Sequence, residues 1–371
     1  MSDFANIQFF LGANSAQGFA SLYDQWVDQG KIQAFYCLKG GAGCGKSTLM
    51  GQVARRLEAE GYAVEYIRCS GDPDSLDGVR IPGKGAALVD GTSPHRMDPA
   101  YPGATGHYVD LGAGYDRKAL SAIRGEILAA VEAYRSYYPE AYRAIAAAME
   151  SRRRGTAPLH TQETLARTAR RAAALLEEEL RTPGPFPGKE ARRFLGGPTC
   201  QGRLLLETTV AALCQRVYEI RDQCGLAGTL LAHLRKGFLE GGCDVIACPS
   251  PEQPGRLAYL LIPQRSLAFV TGPLDSCPVF RTIRTENLVE RKAWQEGKSF
   301  LRLSARVAEE LLEEGMAHLA QAKACHDILE ELYHPHVDFS CAAEQTQRLT
   351  EEILALPDQT PADPLAPAFQ L

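Results

Sequence analysis

The stretch from Gly40 to Thr48, "GGAGCGKST", satisfies the pattern G-x-x-x-x-G-K-[ST] at Gly40, Gly45, Lys46 and Ser47. Glycines at these points let successive backbone N–H groups turn toward one centre, where a Cβ would block both the dihedrals and the approach of a phosphate. The ammonium of Lys46 then reaches the β- and γ-phosphates of a nucleoside triphosphate, and the Ser47 hydroxyl coordinates Mg²⁺. The positive end of a helix beginning near Lys46 adds favourable potential for the anion. ATP and Mg²⁺ are the expected ligands, with Gly40, Gly41, Ala42, Gly43, Cys44, Gly45, Lys46, Ser47 and Thr48 as the nucleotide-binding set.

Mg²⁺ needs a carboxylate as well, and Asp90 ends the apolar run "AALVD", where a phosphate-loop protein places its metal-holding aspartate. The plainer reading of Asp90 is an Asp opening the turn "DGTSP". Gly91 follows it, so no glutamate stands directly behind to activate water. The catalytic set therefore joins Lys46 to the carboxylates of "SGDPDSLDG", namely Asp72, Asp74 and Asp77, any of which could accept a proton or orient water. An Asp-Pro-Asp turn with a helix cap accounts for the same residues. His95 is a weaker candidate for proton transfer.

These residues need elements to position them. Ala34 to Leu38 reads as a strand entering the loop, and Ser47 onward reads as a helix through Met50, Val53 and Leu57. Further strands are expected at Tyr62 to Arg68 and Ala86 to Val89. Beyond Asp116 the pattern turns helical, with Leu120, Ile123, Ile127 and Val131 on one face and a second helix from Thr161 to Leu180. Strands alternating with helices point to α/β domains with mostly parallel sheets, each followed by a helical hairpin.

The plan occurs twice. "FLGANSAQG" at Phe10 to Gly18 returns as "FLGGPTCQG" at Phe194 to Gly202, Tyr36 to Leu49 lies over Tyr218 to Leu231, and Val64 to Gly91 matches Val245 to Gly272 without a gap. Three blocks in the same order imply a duplication: 1–181, a Pro/Gly-rich linker at 182–190, 191–356, and a loosely ordered proline-rich tail at 357–371. In the second copy the helices are expected at Leu301 to Leu332 and Ala342 to Leu354. There Gly45 becomes Ala227, Lys46 becomes Gly228, Asp90 becomes Thr271, and Asp72, Asp74 and Asp77 become Gln253, Gly255 and Ala258. The second copy should fold without holding a triphosphate in the usual way. Arg221 or Arg256 is a candidate to reach the first copy as an arginine finger, although a solvated charge is the commoner fate. "YHPHVDF" (His334, His336, Asp338), with Cys341 nearby, reads as a helix-connecting turn because its spacing fits no standard zinc site.

Composition narrows the class. The 371 residues are 45% hydrophobic and 23% charged, the balance of a globular protein with room for two domains. A net charge of -5 gives no long-range pull toward nucleic acid or an anionic membrane. The apolar runs are too short to cross a bilayer, and Asp3 stands where a targeting segment would be basic, so a cytoplasmic protein is expected. Eleven cysteines without a Cys-x-x-Cys pair suggest reduced thiols. Cys44 lies in the positive field of the loop and could be oxidisable, though its position tolerates many side chains.

With these residues in view, the chain resembles an uncharacterised bacterial family of tandem P-loop ATPases in the P-loop NTPase superfamily. The likeness rests on "FxGxNxAxGF" at Phe10 to Phe19, "KGGxGxGKSTLM" at Lys39 to Met50, "DPDSLDG" at Asp72 to Gly78 and "DGTxPH" at Asp90 to His95. Where the family has a second P-loop, "DQCGLAGTLL" stands here. The resemblance implies a nucleotide-dependent role with Gly40, Gly45, Lys46, Ser47 and Asp90 holding nucleotide and Mg²⁺, and it names no substrate. Mg²⁺-dependent ATP hydrolysis at the first copy is the leading expectation. Alternatives are a kinase acting on a small molecule or nucleotide, and a non-hydrolysing sensor that engages an unidentified protein.

Overall fold

A computed structural model describes residues 7–94, 97–180, 182 and 184–360. The first repeat contributes strands β1 (Gln8–Phe10), β2 (Gly12–Ser15), β3 (Gly18–Ser21), β4 (Ala34–Lys39), β5 (Glu65–Arg68), β6 (Leu76–Ile81), β7 (Ala86–Asp90) and β8 (Gly106–Asp110). Its helices are α1 (Lys46–Ala59), α2 (Arg117–Ala122), α3 (Arg124–Thr156) and α4 (Gln162–Glu179). The second contributes β9 (Glu190–Arg192), β10 (Gly196–Thr199), β11 (Gly202–Leu205), β12 (Arg216–Arg221), β13 (Val245–Pro249), β14 (Leu257–Ile262), β15 (Leu267–Thr271) and β16 (Arg281–Arg284). With them come α5 (Glu207–Leu213), α6 (Ala227–Glu240), α7 (Arg291–Tyr333) and α8 (Ser340–Ala355).

Two six-stranded sheets form in the same order, β1-β5-β6-β7-β4-β8 and β9-β13-β14-β15-β12-β16. Both are mixed. In the first, β1/β5, β4/β7 and β4/β8 are parallel while β5/β6 and β6/β7 are antiparallel. The sheet is mostly parallel, as expected, except for β6, which the sequence reading did not recognise as a strand: its first residues, "LDG", were read only as the end of the carboxylate segment "SGDPDSLDG". The chain reverses directly after β5, because Ser75 N–H donates to Asp72 and Cys69 N–H to Ser75. So short a turn permits only an antiparallel return. The second sheet repeats even the irregularities: the register shifts between Ile67 and Arg68 and again between Cys248 and Pro249. Left-handed Gly85 (φ 53°) is matched by Ser266 (φ 51°).

The helices do not form a hairpin in each copy. α4 leaves the first repeat and packs on α6 of the second, placing Ala172 and Leu175 in the outer core of the second sheet. In return α8 packs on α1, with Leu349 and Ile353 closing the outer core of the first sheet. α3 and α7 pair antiparallel, Gly155 against Ser304 at one end and Tyr134 against His326 at the other. Buried α7 residues Gly297, Leu301, Ser304, Ala308, Leu312, Gly315 and Leu319 recur every three or four positions, a coiled-coil seam. Small residues let the axes close: a Cβ on Gly155 would fall 2.5 Å from Ser304 Cβ.

Between the sheets lies a shared core in which Phe9, Leu11 and Val89 meet Phe194, Leu213 and Val270. The repeats face each other across a pseudo-twofold axis. Equivalent residues Phe10 and Phe194 exchange both backbone hydrogen bonds, each 2.9 Å, as an isologous interface requires. Beside them Arg193 donates to Glu65 at 2.6 Å with both side chains buried. The 184–189 segment is mostly exposed yet tied to the end of α6, Gly184 and Gly188 donating to Gly241 and Leu239. The start of the expected loose tail is also held: Gln359 N–H donates to Gly83 and Asp358 pairs with Lys84. Residues 361–371 lie outside the described ones.

Candidate functional site

The site forms where β4 ends and α1 begins. Gly43 (φ 65°) and Gly45 (φ 91°) hold left-handed conformations that other residues adopt only with strain, and they bend the loop so that α1 starts at Lys46. The N–H groups of Ala42, Gly43, Cys44 and Gly45 find no acceptor among the described residues. Lys46 folds back over the loop, donating to Gly40 O at 3.0 Å and Gly41 O at 2.7 Å, with Asp90 Oδ2 at 3.7 Å. The loop thus already accommodates one positive charge between its carbonyls and a carboxylate. Asp90 Oδ1 accepts from Thr92 N–H and Oγ1 at 2.8 and 2.7 Å, which fixes its rotamer. Ser47 Oγ accepts from Leu76 N–H at 3.0 Å, tying the first turn of α1 to β6. Cys44 is buried beneath the loop, and Thr48 is exposed.

The carboxylates divide. Asp72 is half-buried, receives Ser75 Oγ at 2.9 Å, and faces Lys323 Nζ of α7 at 3.4 Å. Asp74 is exposed and accepts from Gln201 Nε2 at 2.7 Å, a contact from the second repeat. Asp77 is only 3% exposed and accepts from the Tyr23 hydroxyl at 2.9 Å. Burial first, and then Asp77, pushes the Tyr23 and Cys69 pKa values up, so both stay protonated. His95 lies outside the described residues.

The loop opens into a chamber of about 1170 Å³. Tyr134, Arg135 and Tyr138 of α3 form one wall, and Lys323, Glu330 and Tyr333 of α7 another. The 3-10 turn His334–His336, expected from sequence merely to join two helices, roofs the loop. A Cβ on Gly43 would fall 3.0 Å from His334 Cδ2, and Tyr115 accepts from Gly41 N–H while its ring lies 5.7 Å from that of Tyr333. Burial raises the Tyr115 and Tyr138 phenols, and Tyr142 to about 12, leaving neutral hydroxyls. His326, Asp327 and Glu330 bring ligand atoms within 4.8 Å of one another, but Lys323 already binds Asp327, which puts a positive charge where a metal would sit.

The polar and aromatic residues that α3 and α7 bring to the chamber do not figure in the sequence reading, which named only Val131 of its lining there, as part of an apolar helix face. The sole trace was the four-residue spacing of Tyr134, Tyr138 and Tyr142, which marks a helix face without saying what it looks at.

The second repeat differs at the equivalent point. Asp222 stands opposite Gly40, and its carboxylate accepts from Leu226 N–H at 2.9 Å and Ala227 N–H at 3.0 Å, so a side-chain anion meets the start of α6. Arg256 lies over Gly228 and donates to Gly225 O at 2.5 Å, while Arg221 pairs with Glu219 at 2.8 Å. Both arginines contact their own repeat, and neither lines the chamber beside the loop.

A family model described as nephrocystin 3, N-terminal, matches residues 20–79, a span holding the loop and the Asp72–Asp77 segment but well short of half the chain. No curated protein and no solved structure gives a match. No described helix is long and apolar enough to cross a membrane, and all eleven cysteines are free thiols.

Proposed function

We propose that the chain is a cytoplasmic, Mg²⁺-dependent P-loop ATPase of the tandem type its motifs resemble, active in the first repeat. The observation that carries this reading is the row of four loop N–H groups without acceptors among the described residues, beside the Lys46 ammonium and at the start of α1. Converging donors and a cation are what a triphosphate needs. Lys46 would exchange two neutral carbonyls for a phosphate oxyanion, a stronger hydrogen bond. Ser47 and Asp90 are the residues to hold Mg²⁺, which supplies charge neutralisation to the phosphates when bound. Asp72, rather than Asp77, is assigned to orient water, since Asp77 is committed to Tyr23 in the core. The oxygen of water bonds to the γ-phosphorus and the bond from that phosphorus to the bridging oxygen breaks. ADP leaves with the electron pair, and the proton passes through Asp72 to solvent.

One feature favours a kinase as second reading: the chamber exceeds the usual upper size of about 1,000 Å³ for a small-molecule pocket, which leaves space for an acceptor beside Asp72. Phosphate release from MgATP without any acceptor is expected of the ATPase, whereas ADP formed only when metabolites are added reassigns the site to phosphotransfer. Nucleotide at a hundredfold its Kd should stabilise the fold by about 2.7 kcal/mol, and Lys46→Ala should remove that gain. A folded wild-type protein whose melting temperature ignores MgATP overturns both readings.

A further inference from the structure

We propose that the second repeat is a built-in activator of the first, with Lys323 of α7 as the group that leaves Asp72 to neutralise the transferring phosphate. The inference rests on the ATPase reading and adds to it the residue that sets the rate. The second repeat has lost its own phosphate site to Asp222, yet its longest helix is aimed at the site that remains. Among the described residues lining the chamber, Lys323 is the lysine or arginine that the second repeat supplies. Its ammonium stands 3.4 Å from Asp72 Oδ2 and bonds to Asp327, which lies one turn further along the same helix. A side chain a quarter exposed and held between two carboxylates stays mobile enough to exchange one of them for a more highly charged anion.

The exchange has a chemical logic. Asp72 is the carboxylate assigned to water, and while it pairs with Lys323 its Oδ2 is engaged by the ammonium. Transfer of the ammonium to the γ-phosphate would free Asp72 as an acceptor and place positive charge where negative charge grows as the γ-phosphorus to bridging-oxygen bond breaks. The seam with α3 and the roof of Tyr333 and His334 over the loop hold α7 in register for this contact.

The test compares binding of ADP with that of ADP plus aluminium fluoride, a mimic of the transferring phosphate, to the wild type and Lys323→Met by calorimetry. The methionine variant should bind ADP within twofold of wild type, bind the fluoroaluminate complex at least thirtyfold more weakly, and lose a comparable factor in kcat with KM unchanged. Lys323→Arg should restore most of both. If the methionine variant melts early, Lys323→Gln, a neutral side chain one atom shorter that still carries a hydrogen-bond donor, replaces it. Equal fluoroaluminate affinity in wild type and variant, or parallel loss of ADP binding, overturns the inference. A wild type that binds no nucleotide at all refutes the ATPase reading instead.

Discussion

Gly40 and Asp222 occupy the same point of the two repeats and set opposite electrostatic conditions at the start of α1 and α6. A carboxylate at Asp222 satisfies two N–H groups of the α6 terminus from within the chain, and no lysine stands at position 228 to hold a further anion. Gly40 carries no such side chain, and the N–H groups from Ala42 to Gly45 have no acceptor among the described residues. Asp222 therefore contributes stability rather than recognition, as a helix cap does. Asp222→Ala should lower the unfolding free energy by about 1 kcal/mol, measured by urea denaturation, and create no nucleotide binding, since Gly228 and Thr271 still lack the charges that Lys46 and Asp90 provide. Appearance of ATP-dependent stabilisation in this variant would mean that the carboxylate alone had closed a working site.

At the scale of elements, the strand, loop and helix that carry the phosphate pattern were legible because their signal is local: an apolar run, glycines where φ is positive, and helical spacing after Lys46. β6 was not, since Asp77 and Gly78 interrupt its apolar alternation and the partner that accounts for a buried Asp77, the Tyr23 hydroxyl, lies far off in sequence. Nor could sequence say which sheet α4 and α8 would cover. Each presents an apolar stripe, Ala172 and Leu175 on one and Leu349 and Ile353 on the other, and such a stripe fits either outer face of a repeated fold. The reciprocal choice makes α8 part of the half that carries the Gly40–Thr48 loop although it lies far along the chain from it. Leu349, fully buried against α1, gives the check: Leu349→Ala should cost about 2–5 kcal/mol and lower the midpoint of the transition that MgATP protects. A substitution at this site that left the ligand-protected transition untouched would detach α8 from the first sheet.

For the whole molecule, reciprocal helix packing means that neither half encloses its own core. A fragment ending at residue 181 keeps the phosphate loop but lacks α8 over Leu49 and Leu57, the α7 wall of the chamber, and the Arg193 partner of buried Glu65. Glu65 without Arg193 is a buried charge short of its main counterion, a loss of about 3–5 kcal/mol by itself, which together with an uncovered apolar face exceeds what a domain of this size can spare. The complementary fragment lacks α4 over Leu234 and Phe238. Expressed singly, the halves should show no cooperative unfolding transition. Co-expressed, they should assemble one to one through the Phe10–Phe194 exchange and the α3–α7 seam, and regain both a single transition and stabilisation by MgATP. The cut at 181 falls just before an exposed segment, so the break itself disturbs little. Independent folding of residues 1–181, with nucleotide binding intact, would show that the swapped helices decorate two self-sufficient domains and would remove the reason for the second repeat to persist as a structural half.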